Sequence, residues 1–94
     1  MSTTRGRTRT IERVQTGVRM ERRIFLVLKG LAAALDLTLG DLLEGIVLHA
    51  FDGKTPFGPE TRATISALRE VYKLDLTADD SHLLVERIHK KRGT

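Results

Sequence analysis

The sequence contains no cysteine and no tryptophan, and it has only three Phe and one Tyr among 94 residues. Without cysteine, disulfides, thiolate metal sites and cysteine nucleophiles are excluded. So few aromatic side chains leave few ways to enclose a catalytic pocket. No apolar run approaches the roughly 20 residues that span a bilayer, and no apolar stretch follows the basic N-terminus as it does in a signal peptide. We therefore expect one small cytoplasmic domain without a membrane partner.

Positive charge is concentrated at the start of the chain. The net charge is +4, but residues 1–23 alone carry seven Arg against Glu12 and Glu21, a net +5. Residues 24–94 have a net charge of −1. All the early basic residues are Arg, whose planar guanidinium suits bidentate contacts with phosphate and guanine. Residues 1–10 are polar and are expected to form a flexible basic arm.

The stretch RVQTGVRM alternates between apolar and polar residues. Successive side chains of a strand point to opposite faces, so the pattern predicts one β-strand over residues 12–20. One face would carry Val14, Thr16, Val18 and Met20, and the other Arg13, Gln15, Gly17 and Arg19. No second strand follows, and buried backbone groups need hydrogen-bond partners. The economical solution is antiparallel pairing with the same strand of a second copy, in a homodimer.

Helical periodicity begins at Glu21. The first apolar stripe includes Leu28, Leu31 and Leu35, and Gly30 within it is most easily explained by close approach of another helix or backbone. Thr38 is a candidate N-cap of a second helix, which Gly53 would end. Two further helices are expected, over roughly 60–73 with Pro59 in its first turn and over Asp79 to His89 after a cap at Thr77.

Strand, helix, short turn and helix over residues 12–53 resemble the ribbon-helix-helix fold of Arc/MetJ-type and CopG-type repressors. The strand RVQTGVRM, the helix opening ERR, the turn LDLTLGDLL and the second helix carry the resemblance, over a little under half of the chain. It implies a mostly α fold with one N-terminal strand, paired across the two-fold axis of a homodimer. The expected organisation is a basic arm (1–10), a ribbon-helix-helix DNA-binding and dimerisation domain (11–53), and a linker with a C-terminal helical extension (54–94).

The resemblance implies sequence-specific binding of double-stranded DNA, with the β-ribbon in the major groove, and hence a nucleoid-associated transcriptional repressor. Matching the family's base-reading positions gives Gln15, Gly17 and Arg19. Gly17 departs from the pattern because it has no side chain, so either its backbone approaches the bases or Arg13 and the arm take over the contact.

Phosphate contacts are expected from two further groups of residues. In the family the N-terminus of the second helix holds a phosphate, which corresponds here to Thr38, Leu39 and Gly40. The physics agrees, because free N–H groups and the helix dipole attract anions there, although Asp41 opposes a phosphate. The arm either has no role or contacts phosphate or the minor groove through Arg5, Arg7 and Arg9.

Other functions find less support in the sequence. The histidines His49, His82 and His89 lack a tight ligand spacing, so no metal site or cofactor is expected. There is no phosphate loop or nucleophile motif, and the acidic DLTADDS stretch is explained by helix capping, so the protein is not expected to be an enzyme. The alternative is an antitoxin-type interaction module that binds a partner protein through residues 60–89. The sequence leaves open whether dimers assemble into larger oligomers on DNA.

Overall fold

The computed structural model describes residues 8–87 of the chain. It contains three α-helices, α1 (Arg22–Ala34), α2 (Leu39–Phe51) and α3 (Pro59–Tyr72), followed by a 3₁₀ turn at Ala78–Asp80. Helices α2 and α3 both pack on α1. Residues 8–20, here called the N-terminal segment, and residues 81–87, the C-terminal segment, belong to neither a helix nor a strand.

The predicted ribbon-helix-helix fold is wrong, because the described part of the chain is mostly helical and contains no β-strand. The N-terminal segment is exposed throughout, and its backbone takes part in none of the hydrogen bonds found between residues 8 and 87. A strand is defined by a ladder of such bonds with a neighbour. The alternation of apolar and polar residues specifies no hydrogen-bond partner for the backbone, and within residues 8–87 the segment finds none.

Both ends of α2 and the start of α3 lie where the sequence predicts them. The Thr38 hydroxyl accepts a hydrogen bond from the Asp41 N–H at 3.1 Å, which confirms Thr38 as the N-cap of α2. Gly53 follows the helix with φ +69°, and its N–H donates to the Ala50 carbonyl at 3.0 Å. Such a left-handed residue is the usual stop signal. Pro59 is the first residue of α3, as predicted.

The core is small and centred on α1. Leu31 is only 2% exposed and lies with Ala32 and Leu42 in the central cluster. Side chains from α2, α3 and the linker pack against this cluster: Ile46, Phe57, Ile65 and Leu68. A Cβ added to Gly30 would lie 2.8 Å from Leu68 Cδ2. The glycine therefore lets α3 lie close against α1, which confirms the close approach expected at Gly30.

The fourth helix predicted from Asp79 to His89 is wrong over its described residues. Thr77 does act as a cap, because its N–H donates to Asp80 Oδ2 at 2.8 Å and its hydroxyl accepts from the Asp79 N–H. However, only one 3₁₀ turn follows, and His82 has a positive φ of 69° that no continuing helix adopts. Short helices are marginal unless an apolar face packs, and residues 81–87 are all exposed.

Glu21 caps α1 and makes the start of this helix sensitive to acid. Its carboxylate accepts from the Ile24 N–H at 2.9 Å and from Arg23 Nε at 2.8 Å. Partial burial acts to raise the pKa of Glu21, but these hydrogen bonds and the charge of Arg23 outweigh it and hold the pKa below its usual value. A carboxyl whose pKa is lowered by folding stabilises the protein above its unfolded pKa, and this contribution is lost as the pH falls through the folded pKa.

We predict that Glu21→Ala lowers the free energy of unfolding at pH 7 by about 1 kcal/mol, the usual effect of removing an N-cap. The difference from wild type should shrink in acid, where the wild-type carboxyl is itself protonated. Urea denaturation followed by circular dichroism at pH 7 and pH 3 measures both values. Glu70→Ala is the matched control, because the Glu70 side chain makes none of the hydrogen bonds or ion pairs found within residues 8–87. An unchanged difference at the two pH values would contradict the assigned role of the Glu21 charge.

Candidate nucleic-acid interface

The N-terminal segment borders a groove together with the starts of α1 and α2. The groove has a volume of about 1340 Å³, and Arg13 and Gln15 lie on its segment side. Its α2 side is formed by the helix N-terminus, including Thr38, Leu39 and Gly40. The structure therefore brings two of the predicted base-contacting residues to the same groove as the predicted phosphate-binding turn. Gly17 and Arg19 do not line it.

Arg13 ties the N-terminal segment to α2. Its guanidinium donates to both carboxylate oxygens of Glu44, with Nε–Oε2 and Nη2–Oε1 distances of 2.9 Å. Asp41 lies 3.8 Å from the same Nη2. The hydrogen bonds from Arg13 lower the pKa of Glu44 below its usual value. Because Glu44 takes the donors on the Nε–Nη2 edge of the guanidinium, Arg13 acts in this conformation as an anchor for the segment.

Arg19 is placed differently from Arg13. Its side chain is 82% exposed and forms an ion pair with Glu86 of the C-terminal segment. Between these two arginines, Gln15 and Gly17 are exposed, and a Cβ at Gly17 would meet nothing within 4 Å. This open space permits a close approach of another molecule to the backbone at Gly17.

The N-terminus of α2 combines donors with acidic side chains. The first N–H groups of a helix lack intrahelical acceptors, and within residues 8–87 the N–H groups of Leu39 and Gly40 have no hydrogen-bond partner. The N–H of Asp41 is taken by Thr38. The Asp41 and Glu44 carboxylates stand next to this turn, where Arg13 offsets part of their charge.

The remaining predicted phosphate contacts and the histidines lie only in part within the described residues. Arg9 is exposed, whereas Arg5, Arg7 and His89 lie outside the described residues. His49 Nδ1 lies 2.7 Å from the Gly45 carbonyl oxygen in the last turn of α2. No group of three or more His, Asp or Glu side chains suited to a metal ion occurs within residues 8–87.

Two residues that the sequence did not single out hold the basic region in place. Arg23 donates to Glu21, to the Lys73 carbonyl at 3.0 Å and to Asp75 at 3.1 Å, so it links the start of α1 to the end of α3. Glu86 reaches Arg19 from the C-terminal segment. Their partners are 52 and 67 residues away. Local spacing carries no signal for contacts of this kind.

Comparisons with known proteins do not identify a family. No protein-family model, curated protein or solved structure matches the chain. Among the described helices, none has the length and apolar content required to cross a bilayer.

Proposed function

We propose that the protein is a DNA-binding transcriptional regulator of the cytoplasm, which contacts double-stranded DNA through its arginine-bearing N-terminal segment and acts as a homodimer. The observation that carries this proposal is the groove that joins the segment to the N-terminus of α2. There the exposed N-terminal segment, with the Gln15 side chain, lies next to the N–H groups of Leu39 and Gly40, which have no hydrogen-bond partner within residues 8–87. Arg19 extends from the same segment outside the groove. Arg and Gln are side chains that pair with base edges, and helix N-termini bind phosphate.

The charge distribution supports a polyanionic ligand. The seven Arg of residues 1–23 are separated from a remainder of the chain that is slightly acidic. Clustered cations of this kind supply the sequence-independent part of DNA affinity by neutralising phosphates. The Arg19 side chain is 82% exposed, more than the 61% of Arg13, and is therefore the more accessible of these two to a ligand.

Exposed apolar side chains on α2 support the homodimer. Val47, Leu48 and Phe51 are spaced i, i+1 and i+4, so they share one face of the helix, and all three are exposed. Apolar side chains grouped on one exposed helix face are a common mark of a protein–protein contact. A second copy presenting the same face would cover both by two-fold symmetry. This dimer joins α2 faces and requires no paired strands.

The decisive experiment is a salt titration of DNA binding with the variant Arg19→Ala. Fluorescence anisotropy would follow wild-type and variant protein on a duplex enriched from a random pool and on its scrambled counterpart. The wild type should bind both at ~50 mM salt and prefer the enriched duplex. Arg19→Ala should weaken binding to the enriched duplex by roughly 1–3 kcal/mol per subunit, with a much smaller effect on the scrambled one, because base contacts specify sequence.

Arg62→Ala is the matched control, because Arg62 is an exposed arginine of α3 away from the N-terminal segment. It should leave binding to both duplexes within about twofold of wild type, since it lies outside the proposed interface. An equal loss on both duplexes for Arg19→Ala would make Arg19 a phosphate contact. A wild-type protein that binds neither duplex at ~50 mM salt would overturn the proposed function.

Binding of a partner protein is the second candidate function. The C-terminal segment carries the apolar side chains of Leu83 and Val85, which are 70% and 93% exposed. Folded chains usually cover such residues, and short extended apolar segments are a common form of peptide recognition. However, α3 is a folded helix packed on α1, so this candidate rests on residues 81–87 rather than on the whole range 60–89.

A further inference from the structure

We infer that the C-terminal segment is an internal competitor for DNA, because the Glu86 carboxylate takes the Nη2 donor of the Arg19 guanidinium that the nucleic acid would contact. This inference rests on the proposed function and adds a mode of regulation to the same site. The carboxylate of Glu86 is directly hydrogen-bonded to Arg19 Nη2. A carboxylate oxygen and the acceptor atoms of a guanine edge use the same N–H donors of a guanidinium, so the two contacts exclude one another at Nη2.

The segment lies across the start of α1 as well as near Arg19. Residues 84–87 and Leu76 form one side of a cavity of about 850 Å³, and residues 19–23 form the other. Two of the basic residues of this region, Arg19 and Arg23, face carboxylates. Arg23 is bound by Glu21 and Asp75, and Glu86 completes the set at Arg19. An approaching polyanion therefore meets a basic region whose charge the chain itself has partly neutralised.

The segment is held weakly enough to be displaced. Its side chains are exposed, including the three apolar ones, Leu83, Leu84 and Val85. After the Leu83 N–H, which donates to the Asp80 carbonyl at 3.0 Å, the backbone of residues 84–87 makes none of the hydrogen bonds found in the described chain. The ion pair of Glu86 with Arg19 is thus the principal polar tether. Exposed pairs of this type are weak and are screened by salt.

The test is a comparison of Glu86→Gln with wild type in binding to a 20-base-pair duplex. The variant should bind about 1.5- to 5-fold more tightly at ~50 mM salt, the range that releasing a surface ion pair allows. The gain should fade toward ~500 mM salt, where such pairs are screened. Glu60→Gln changes the net charge equally but lies in the first turn of α3, at the opposite end of that helix from the Arg23 contacts. Glu60→Gln should therefore raise the affinity for the duplex much less than Glu86→Gln does.

Trypsin supplies a readout that needs no DNA. The protease must take the arginine side chain into its own pocket, so the rate of cleavage after Arg19 should rise in Glu86→Gln by a similar factor. Cleavage after Arg13, which Glu44 holds, should not change and serves as the internal control. If cleavage after Arg19 is unchanged, the pair does not mask this residue in solution and the inference is overturned.

The possible failures can be told apart. If wild type and Glu86→Gln bind the duplex equally well, the proposed function stands and the internal competition is refuted. If Glu60→Gln gains as much affinity as Glu86→Gln, the gain comes from the change in net charge, and the internal competition is again refuted. If neither wild type nor Glu86→Gln binds the duplex at ~50 mM salt, the proposed function and this inference fall together.

Discussion

Replacing Phe51 by Asp is expected to convert the proposed dimer into a monomer. Phe51 is 80% exposed and shares one face of α2 with Val47 and Leu48. Burying a large apolar side chain is worth about 1.5–3 kcal/mol, and a two-fold interface contains each contact twice. The dissociation constant should therefore rise by roughly 10²- to 10⁴-fold. Sedimentation velocity over a range of micromolar concentrations measures the change.

Val71→Asp provides the control for this result. Val71 is also an exposed apolar side chain, but it lies on α3 and outside the α2 face. Its replacement should leave the dimer intact and thereby exclude a general effect of added negative charge. Both variants should keep the helix content of wild type, because neither side chain is buried in the subunit. A wild-type protein that sediments as a folded monomer throughout would contradict the proposed dimer.

The second large effect is expected at the centre of the core. Leu31 of α1 is almost fully buried in the central cluster. Leu→Ala at such positions lowers the free energy of unfolding by about 2–5 kcal/mol. A small domain has only roughly 5–15 kcal/mol in total, so Leu31→Ala should remove much of its stability. Urea denaturation followed by circular dichroism, at one fixed protein concentration, measures the difference.

Leu83→Ala is the matched substitution at an exposed site. Leu83→Ala removes the same side-chain atoms as Leu31→Ala, but from the C-terminal segment, where Leu83 is already in contact with water. Its effect should stay within about 0.5 kcal/mol. Similar losses for the two variants would mean that the cluster around Leu31 does not dominate the stability of the domain.

Helix positions could be read from the sequence because their signals are local. The cap at Thr38, the stop at Gly53 and Pro59 at the start of α3 each act through a backbone group a few residues away. Even the packing role of Gly30 was visible, since a glycine weakens an apolar helix unless a neighbour packs closely against it. The structure confirms three of the four helices predicted from such signals.

The remaining predictions failed because they required partners that local sequence does not specify. Alternation over residues 12–20 constrains side chains, but a strand also needs a second backbone, and the described chain offers none. The cap at Thr77 was correct, yet within residues 8–87 Leu83 and Leu84 stay 70% and 50% exposed, so no well-packed apolar face supports a continuing helix. At the candidate interface, Arg13 and Arg19 have the same sequence character. The bidentate contact with Glu44 makes Arg13 an anchor, whereas Arg19 keeps an 82% exposed side chain beside its partner Glu86.

The central position of α1 has a consequence for the order in which the protein folds. Helix α2 follows α1 after a short turn and packs against it locally, whereas α3 returns to α1 from a distance, with Arg23 and Asp75 separated by 52 residues. Closing the longer loop has the larger entropic penalty, and contacts of high sequence separation slow folding. On the ribosome α1 and α2 emerge first, so the side of α1 at Gly30 stays bare until α3 has been synthesised.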